Sequence, residues 1–389
     1  MGTADQQKQW NQLFAEFEKE HPEIKVEAEG VTVDNWAAFS NKIATQIAGG
    51  DIPDVLQIAT EGQQMFASKG LLEPLDDYIA KDKDVIDDYY NDIDPALITF
   101  IKDHGSPDGK TYYLPGDFNT MVLWCNVDVV EKAGATLPGA GEDWTWDQFE
   151  QFAKTIKDTT GAYAIDAGYG YFSGLMPWVL TAGGNSLSDD WKTATFDTPE
   201  VVEAATFERS LVANGYSPAP GGTFDDYAQT AQDKLACFGG GRWPIIQTRT
   251  NDMVDKTQIV AWPTKAGNGS PIGWNSYPIL KDSKNKDAAW TFVKFLISKN
   301  GSSFFANLGG TIVPARRSVA ESESFLDNSP KGTETLYDAV SYATPIPSPE
   351  QGPDLQAAIE DGWKQILTGN VEPADGVSAI QTKMEGILK

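Results

Sequence analysis

Apolar residues at Trp10, Leu13, Phe14 and Phe17 recur at the i, i+3, i+4, i+7 spacing of one helix face. The pattern ends before His21-Pro22, because the residue ahead of a proline avoids helical backbone angles. Ile24, Val26 and Ala28 then alternate with Lys25 and Glu27, which predicts a strand. Trp36, Phe39, Ile43 and Ile47 predict a second helix, closed by Gly49-Gly50. Residues 54–59 (DVLQIA) form a nearly continuous apolar run, the pattern of a strand buried in a parallel sheet. A strand is predicted over 121–127 and a short one over 259–262. Helix faces are read from Phe149, Phe152, Ala153 and Ile156 behind a Thr145 N-cap, and from Ala289, Phe292, Val293 and Leu296. Two more come from Leu355, Ile359, Trp363 and Ile366, and from Val377, Ile380, Met384 and Ile387. Helices alternating with strands predict an open α/β sheet.

Breaks rich in Pro and Gly fall at 114–116, 217–222, 262–274 and 344–353. There are no internal repeats or low-complexity tracts. A length of 389 residues points to two domains. With 41% hydrophobic and 22% charged residues, the composition is that of a globular protein, and no apolar run approaches the roughly 18 residues of a membrane span. Charge changes the picture more. Thirty Lys and Arg against 56 Asp and Glu leave a net −26, a field that repels phosphate backbones and anionic membranes, so no nucleic-acid partner is expected.

Chemistry is sparse. His21 and His104 are the only histidines, which removes HExxH zinc sites and speaks against a Ser-His-Asp triad. No cofactor or metal site is expected, and the acidic stretch 81–94 reads as a solvated helix face because its spacing is not that of a calcium loop. Gly239-Gly240-Gly241 is followed by Arg242-Trp243, so it is no phosphate loop. Cys125 and Cys237 read as two buried thiols, with a disulfide as the alternative. Twelve Trp, 13 Tyr and 18 Phe supply many flat apolar faces instead. Trp178, Trp243, Trp262 and Trp274 lie in or beside Gly/Pro-rich loops, where binding residues concentrate. Sugars present C–H faces to such rings and hydroxyls to Asp, Glu, Asn and Arg.

The segments Asp51-Ile52-Pro53-Asp54-Val55, 70–79 (GLLEPLDDYI) and 109–115 (GKTYYLP) resemble the carbohydrate-binding branch of the extracellular solute-binding proteins of ABC importers, the branch related to maltose-binding protein. Further matches follow in the same order: 123–128 (LWCNVD), 144–147 (WTWD), Thr181-Ala182-Gly183-Gly184, 233–237 (DKLAC), the helix from Lys286 and Leu367-Thr368-Gly369-Asn370. The resemblance implies a two-lobed periplasmic-binding-protein-like α/β fold with a ligand cleft between the lobes. It implies one lobe from 1–116 plus 271–325 and another from 117–270 plus 326–389. Members of that family begin with a strand ahead of the first helix. This sequence opens at Met1-Gly2-Thr3-Ala4-Asp5, so the resemblance implies a missing central strand in one lobe, a removed export signal and an extracytoplasmic location as a cell-surface lipoprotein or a periplasmic protein.

The same resemblance singles out Glu61 after the 54–59 run, and Asp117 and Asn119 after Pro115, as polar contacts to a sugar. It singles out Tyr171, Phe172 and Trp178, then Arg242 and Trp243, then Trp274 and Asn275, with Trp243 and Trp274 foremost as stacking platforms. The implied function is a non-catalytic, monomeric receptor that captures an oligosaccharide and hands it to a membrane permease. The alternatives are a receptor for a polyamine or other cation, held by cation–π contacts, and a glycoside hydrolase.

Overall fold

The N-terminal apolar stripe folds as the helix Ala4–Glu20, with Leu13 and Phe17 buried. The second stripe folds as Trp36–Ala48, burying Phe39, Ile43 and Ile47. Thr145 caps the helix Trp146–Thr160 as read, and Gln148 returns a bond to the Thr145 backbone to complete a capping box. The three later stripes become the helices Lys286–Ile297, Gly352–Leu367 and Pro373–Ile387. The computed structural model describes residues 4–33, 36–139, 141–221 and 224–389. Met1–Thr3 and Gly222, the last residue of one predicted break, lie outside them.

The chain divides into two units. Met1–Phe118, Gly273–Asp327 and Ser348–Pro353 form the first; Asn119–Ile272, Asn328–Pro347 and Asp354–Lys389 form the second. The chain passes from one to the other within the strands Pro115–Thr120 and Ser270–Ser276, and again after Asp327, Pro347 and Pro353.

In the first unit two predicted strands are corrected. Residues 24–28 form no strand, and the Val26 N–H donates instead to the Glu18 carboxylate at 3.0 Å. A strand is defined by a neighbour that takes its N–H and C=O row, and no described strand runs beside this one. Of the run 54–59 only Ile58–Ala59 is a strand, pairing antiparallel with Ser276 and Asn275, while Val55 keeps one isolated bridge to Ile279. The apolar pattern foresaw burial here, and Leu56 and Ile58 are buried, but the parallel partner it implied is absent among the described residues.

The second unit has a four-stranded sheet in the order Tyr163–Ile165, Leu235–Gly240, Val122–Asn126, Thr257–Val260. The strand Val122–Asn126 pairs antiparallel with both neighbours and is wholly buried, whereas Tyr163–Ile165 lies parallel to Leu235–Gly240. Its register sets Cys125 opposite Cys237, with Cα atoms 4.1 Å apart, and their sulfurs are joined as a disulfide. The reading of two buried thiols is corrected. Cysteines 112 positions apart carry no local signal, and only the strand register brings them together. Trp146, Phe149, Trp178, Phe207 and Trp262 pack edge-to-face and stacked around one another, with centroids 4.5–5.7 Å apart, and form the aromatic centre of this unit's core.

Candidate functional site

Half-buried rings in the second unit meet at Trp243 and Phe172, whose centroids are 6.3 Å apart. Two local devices present them. Phe172 lies on the single π-turn Tyr171–Leu175, a rare geometry that clusters at functional positions. The turn is possible because Gly174 packs onto the Gly168 backbone; a Cβ there would sit 1.9 Å from the Gly168 carbonyl oxygen. Trp243 follows the strand Leu235–Gly240 and lies against Gly241, where a Cβ would come within 2.5 Å of its ring and 2.6 Å of Asn119 Oδ1. The triplet 239–241 is therefore a seat for indoles: Trp262 packs on Gly239, Trp124 on Gly240 and Trp243 on Gly241. The sequence reading rejected this triplet as a phosphate loop without assigning it a role. Three side-chain-free residues next to a tryptophan were the available signal.

Asn119 is half-buried beside this pair, and its Oδ1 accepts the Arg242 N–H at 2.7 Å. Three other expected contacts of the same unit lie in the interior. Trp178 is buried among the core rings named above, so its faces are covered by protein. It stands not on a loop but on the helix Met176–Thr181, whose residues pack into the core. Tyr171 is buried, with its hydroxyl 2.6 Å from Ser186 Oγ and its N–H bonded to Glu360. Arg242 is buried and donates to Ser329 Oγ at 2.9 Å; burial, reinforced by the nearby Arg249 charge, pulls its guanidinium down to about 9. Phe172, Trp243 and Asn119 are thus brought together, whereas Tyr171, Trp178 and Arg242 are interior residues of the same unit.

Of the first unit's candidates, Glu61 stands half-buried in the first turn of the helix Thr60–Ser68. Trp274, foremost by sequence, is an interior residue. Its Nε1 donates to Gln63 Oε1 at 2.8 Å, its N–H donates to Thr60 Oγ1 at 2.8 Å, and Phe100 stacks 6.3 Å from it. The indole locks the strand Ser270–Ser276 onto the helix that carries Glu61, which is a positioning role. Asp117 is buried and accepts from Asn275 Nδ2 at 2.5 Å and from the Tyr277 hydroxyl at 2.8 Å. Burial pushes its carboxyl up to about 7 against the pull of these donors. Tyr277, which no sequence pattern marked, is held well above the usual phenol range by burial and by Asp117.

Three more carboxyls of the second unit are displaced. Burial, and then the Asp166 charge, raises Asp226 to about 8, and the two side chains share a hydrogen bond in which Asp226 holds the proton. Glu208, fully buried, is pushed well above the usual carboxylate range; one oxygen accepts from Trp363 Nε1 at 2.7 Å. Asp166 and Asp226 are in direct contact, too close for the sugar-spanning separation of about 5–9.5 Å that a glycosidase pair needs. Among the described residues no group of three or more His, Cys, Asp or Glu could hold a metal ion, and no helix is long and apolar enough to cross a membrane.

Residues 3–301 match the sequence pattern of bacterial extracellular solute-binding proteins. A putative binding protein of Brucella abortus is 26% identical over 96% of this chain and 88% of its own. The arabinooligosaccharide-binding protein of Bacillus subtilis is 26% identical over 73% of this chain and 65% of its own. Among solved structures, the GacH receptor of Streptomyces glaucescens, known unliganded and with acarbose, superposes with a TM-score of 0.83 at 25% identity, covering the whole of this chain and 96% of that one.

Proposed function

The chain belongs to the bacterial extracellular solute-binding proteins, and we propose that it is the receptor of an ABC importer for a neutral oligosaccharide. One observation carries the choice of ligand: the half-buried Trp243–Phe172 ring pair, held on a π-turn and a glycine seat, with an amide beside it. Rings supply faces for sugar C–H groups. Asn119, whose Oδ1 is already bonded to backbone, offers its amide N–H to a hydroxyl. Asp117, Asn275 and Trp274 set the strand geometry of the first unit.

A sugar-binding relative and an acarbose-binding neighbour support this reading. The cationic alternative is disfavoured because Arg242, next to Trp243 in the chain, buries a guanidinium in the same unit. The disulfide fits an oxidising, extracytoplasmic compartment. In this reading the protein acts as a monomer, delivers its ligand to permease subunits and performs no chemistry on it. A panel of mono- and oligosaccharides, followed by tryptophan fluorescence and thermal shift, tests it. Saturable binding of at least one oligosaccharide, with no turnover of chromogenic glycosides, is the expected result; silence across the panel removes the sugar reading.

A further inference from the structure

Trp124 is the central residue of the wholly buried strand Val122–Asn126 and lies opposite Phe238 on one neighbour and Ile259 on the other. Its indole stacks on the Phe238 ring, with centroids 6.4 Å apart and planes at 14°, and Tyr227 meets Phe238 edge-on at 5.6 Å. Side chains on one face of a strand are two positions apart, so the next residue beside Trp124 on the Phe238 strand is Gly240. A Cβ at Gly240 would stand 3.3 Å from the indole nitrogen. The bare position leaves the indole room to reach past the end of that strand, where Nε1 donates to the Gly241 carbonyl at 2.9 Å. Trp124 has no solvent exposure, and the one polar group of its side chain goes to this carbonyl.

That carbonyl belongs to the peptide unit between Gly241 and Arg242, whose N–H donates to Asn119 Oδ1 at 2.7 Å. The unit is trans and planar, so its C=O and N–H point in opposite directions. Holding the carbonyl on Trp124 therefore aims the N–H at Asn119. The consequence falls on the Asn119 amide, which carries an acceptor at one end and donors at the other. With Oδ1 taken by Arg242, Nδ2 is the end left for a ligand beside the Trp243 and Phe172 rings. A reversed peptide would claim Nδ2 for its carbonyl and leave Oδ1, turning the contact from donor to acceptor. We propose that Trp124 is a positioning residue that never meets ligand: it sets the polarity of the Asn119 contact. The site thereby selects a molecule presenting an acceptor oxygen, as a sugar hydroxyl or ring oxygen does, over an ammonium, which can only donate. The selection rests on the reading of the ring pair as a sugar platform; the clamp on the peptide does not.

The test is hydrogen exchange on the purified chain, read by NMR without any sugar. Trp124→Phe keeps a ring against Phe238 and removes the N–H donor. Protection of the Arg242 N–H should then fall about five- to tenfold relative to the Cys125 and Cys237 amides, which report the sheet itself. A merely structural loss would lower all of these together and leave the ratio unchanged. The Asn119 side-chain amide protons, identified by their disappearance in Asn119→Asp, should slow in Trp124→Phe as Nδ2 turns to the released carbonyl. Asn119→Asp itself keeps an acceptor for Arg242, so the protection of that N–H should persist. In the unsubstituted protein the Trp124 indole N–H and the Arg242 N–H should show equal protection, because one peptide unit opens both bonds; this measurement decides the matter if Trp124→Phe does not fold. An unchanged Arg242 ratio, unaltered Asn119 amide protons in the variant, or an indole N–H far less protected than Arg242 overturns the proposal. Because no sugar enters, a silent sugar titration removes the reading of the platform and leaves this result to stand or fall by itself.

Discussion

Substituting Asp117→Asn should flatten part of the protein's stability–pH profile. The carboxyl is buried and rises from its ordinary 3.8 to about 7. Its folded pKa exceeds its unfolded one, so the native state holds a proton that the unfolded state has released across this window. Stability is therefore fully present below about pH 4 and falls as pH rises through about 7. The displacement corresponds to about 4 kcal/mol at most, because the donors Asn275 and Tyr277 already favour the charged form. Asparagine keeps the shape and cannot titrate. Denaturant unfolding at pH 5 and pH 8, followed by fluorescence, measures the difference. The variant's stability relative to the parent should rise by about 2–3 kcal/mol between pH 5 and pH 8. An unchanged slope in the variant would refute the assignment of a buried, proton-holding carboxyl to this strand.

Asp226→Asn should act likewise over a wider range, retaining a donor to Asp166 while removing the stability loss that accrues between about pH 4 and 8, read from the same unfolding series. Reducing the Cys125–Cys237 bond, or replacing both residues with Ser, releases a loop of more than a hundred residues and should cost about 2–5 kcal/mol. In calorimetry that appears as a drop of about 10 °C in the second unit's transition; no shift would mean that the bond adds nothing to the strand pairing. Gly241→Ala forces a methyl into Trp243 and Asn119 and should destabilise by about 1–3 kcal/mol. It should also weaken sugar binding, whereas a variant with unimpaired affinity would remove Gly241 as the seat of the platform.

Helices were the most legible part of the fold. Stripes such as Trp36, Phe39, Ile43 and Ile47 carry their own period, and Thr145 with Gln148 carries its own cap. Strands were less so, because a strand exists only where another backbone runs beside it. Residues 24–28 alternate correctly yet remain unpaired, and residues 54–59 keep only two strand positions. The disulfide needed the register of the strand Val122–Asn126, which no spacing encodes. Of the contacts expected from the family pattern, Trp243, Phe172 and Asn119 meet in one patch. Trp274 and Trp178 shared the same loop context but turn inward. Their burial depends on Gln63, Thr60 and the Trp146 cluster, all distant in sequence. Tyr277 and Gly241 escaped notice because a lone Tyr and a glycine triplet acquire meaning only against Asp117 and the Trp243 ring.

The central claim rests on Trp243. Burying half of the roughly 150–250 Å² of an aromatic side chain at about 25 cal/mol per Å² gives about 2 kcal/mol, a factor of about 30 in affinity. Isothermal titration of the best oligosaccharide into the parent and into Trp243→Ala, each at low and high salt, measures this directly. Binding some 30-fold weaker in the variant, and salt-independent in both proteins, is the predicted result. Equal affinities, or binding that collapses with salt, would contradict a neutral sugar held on this ring.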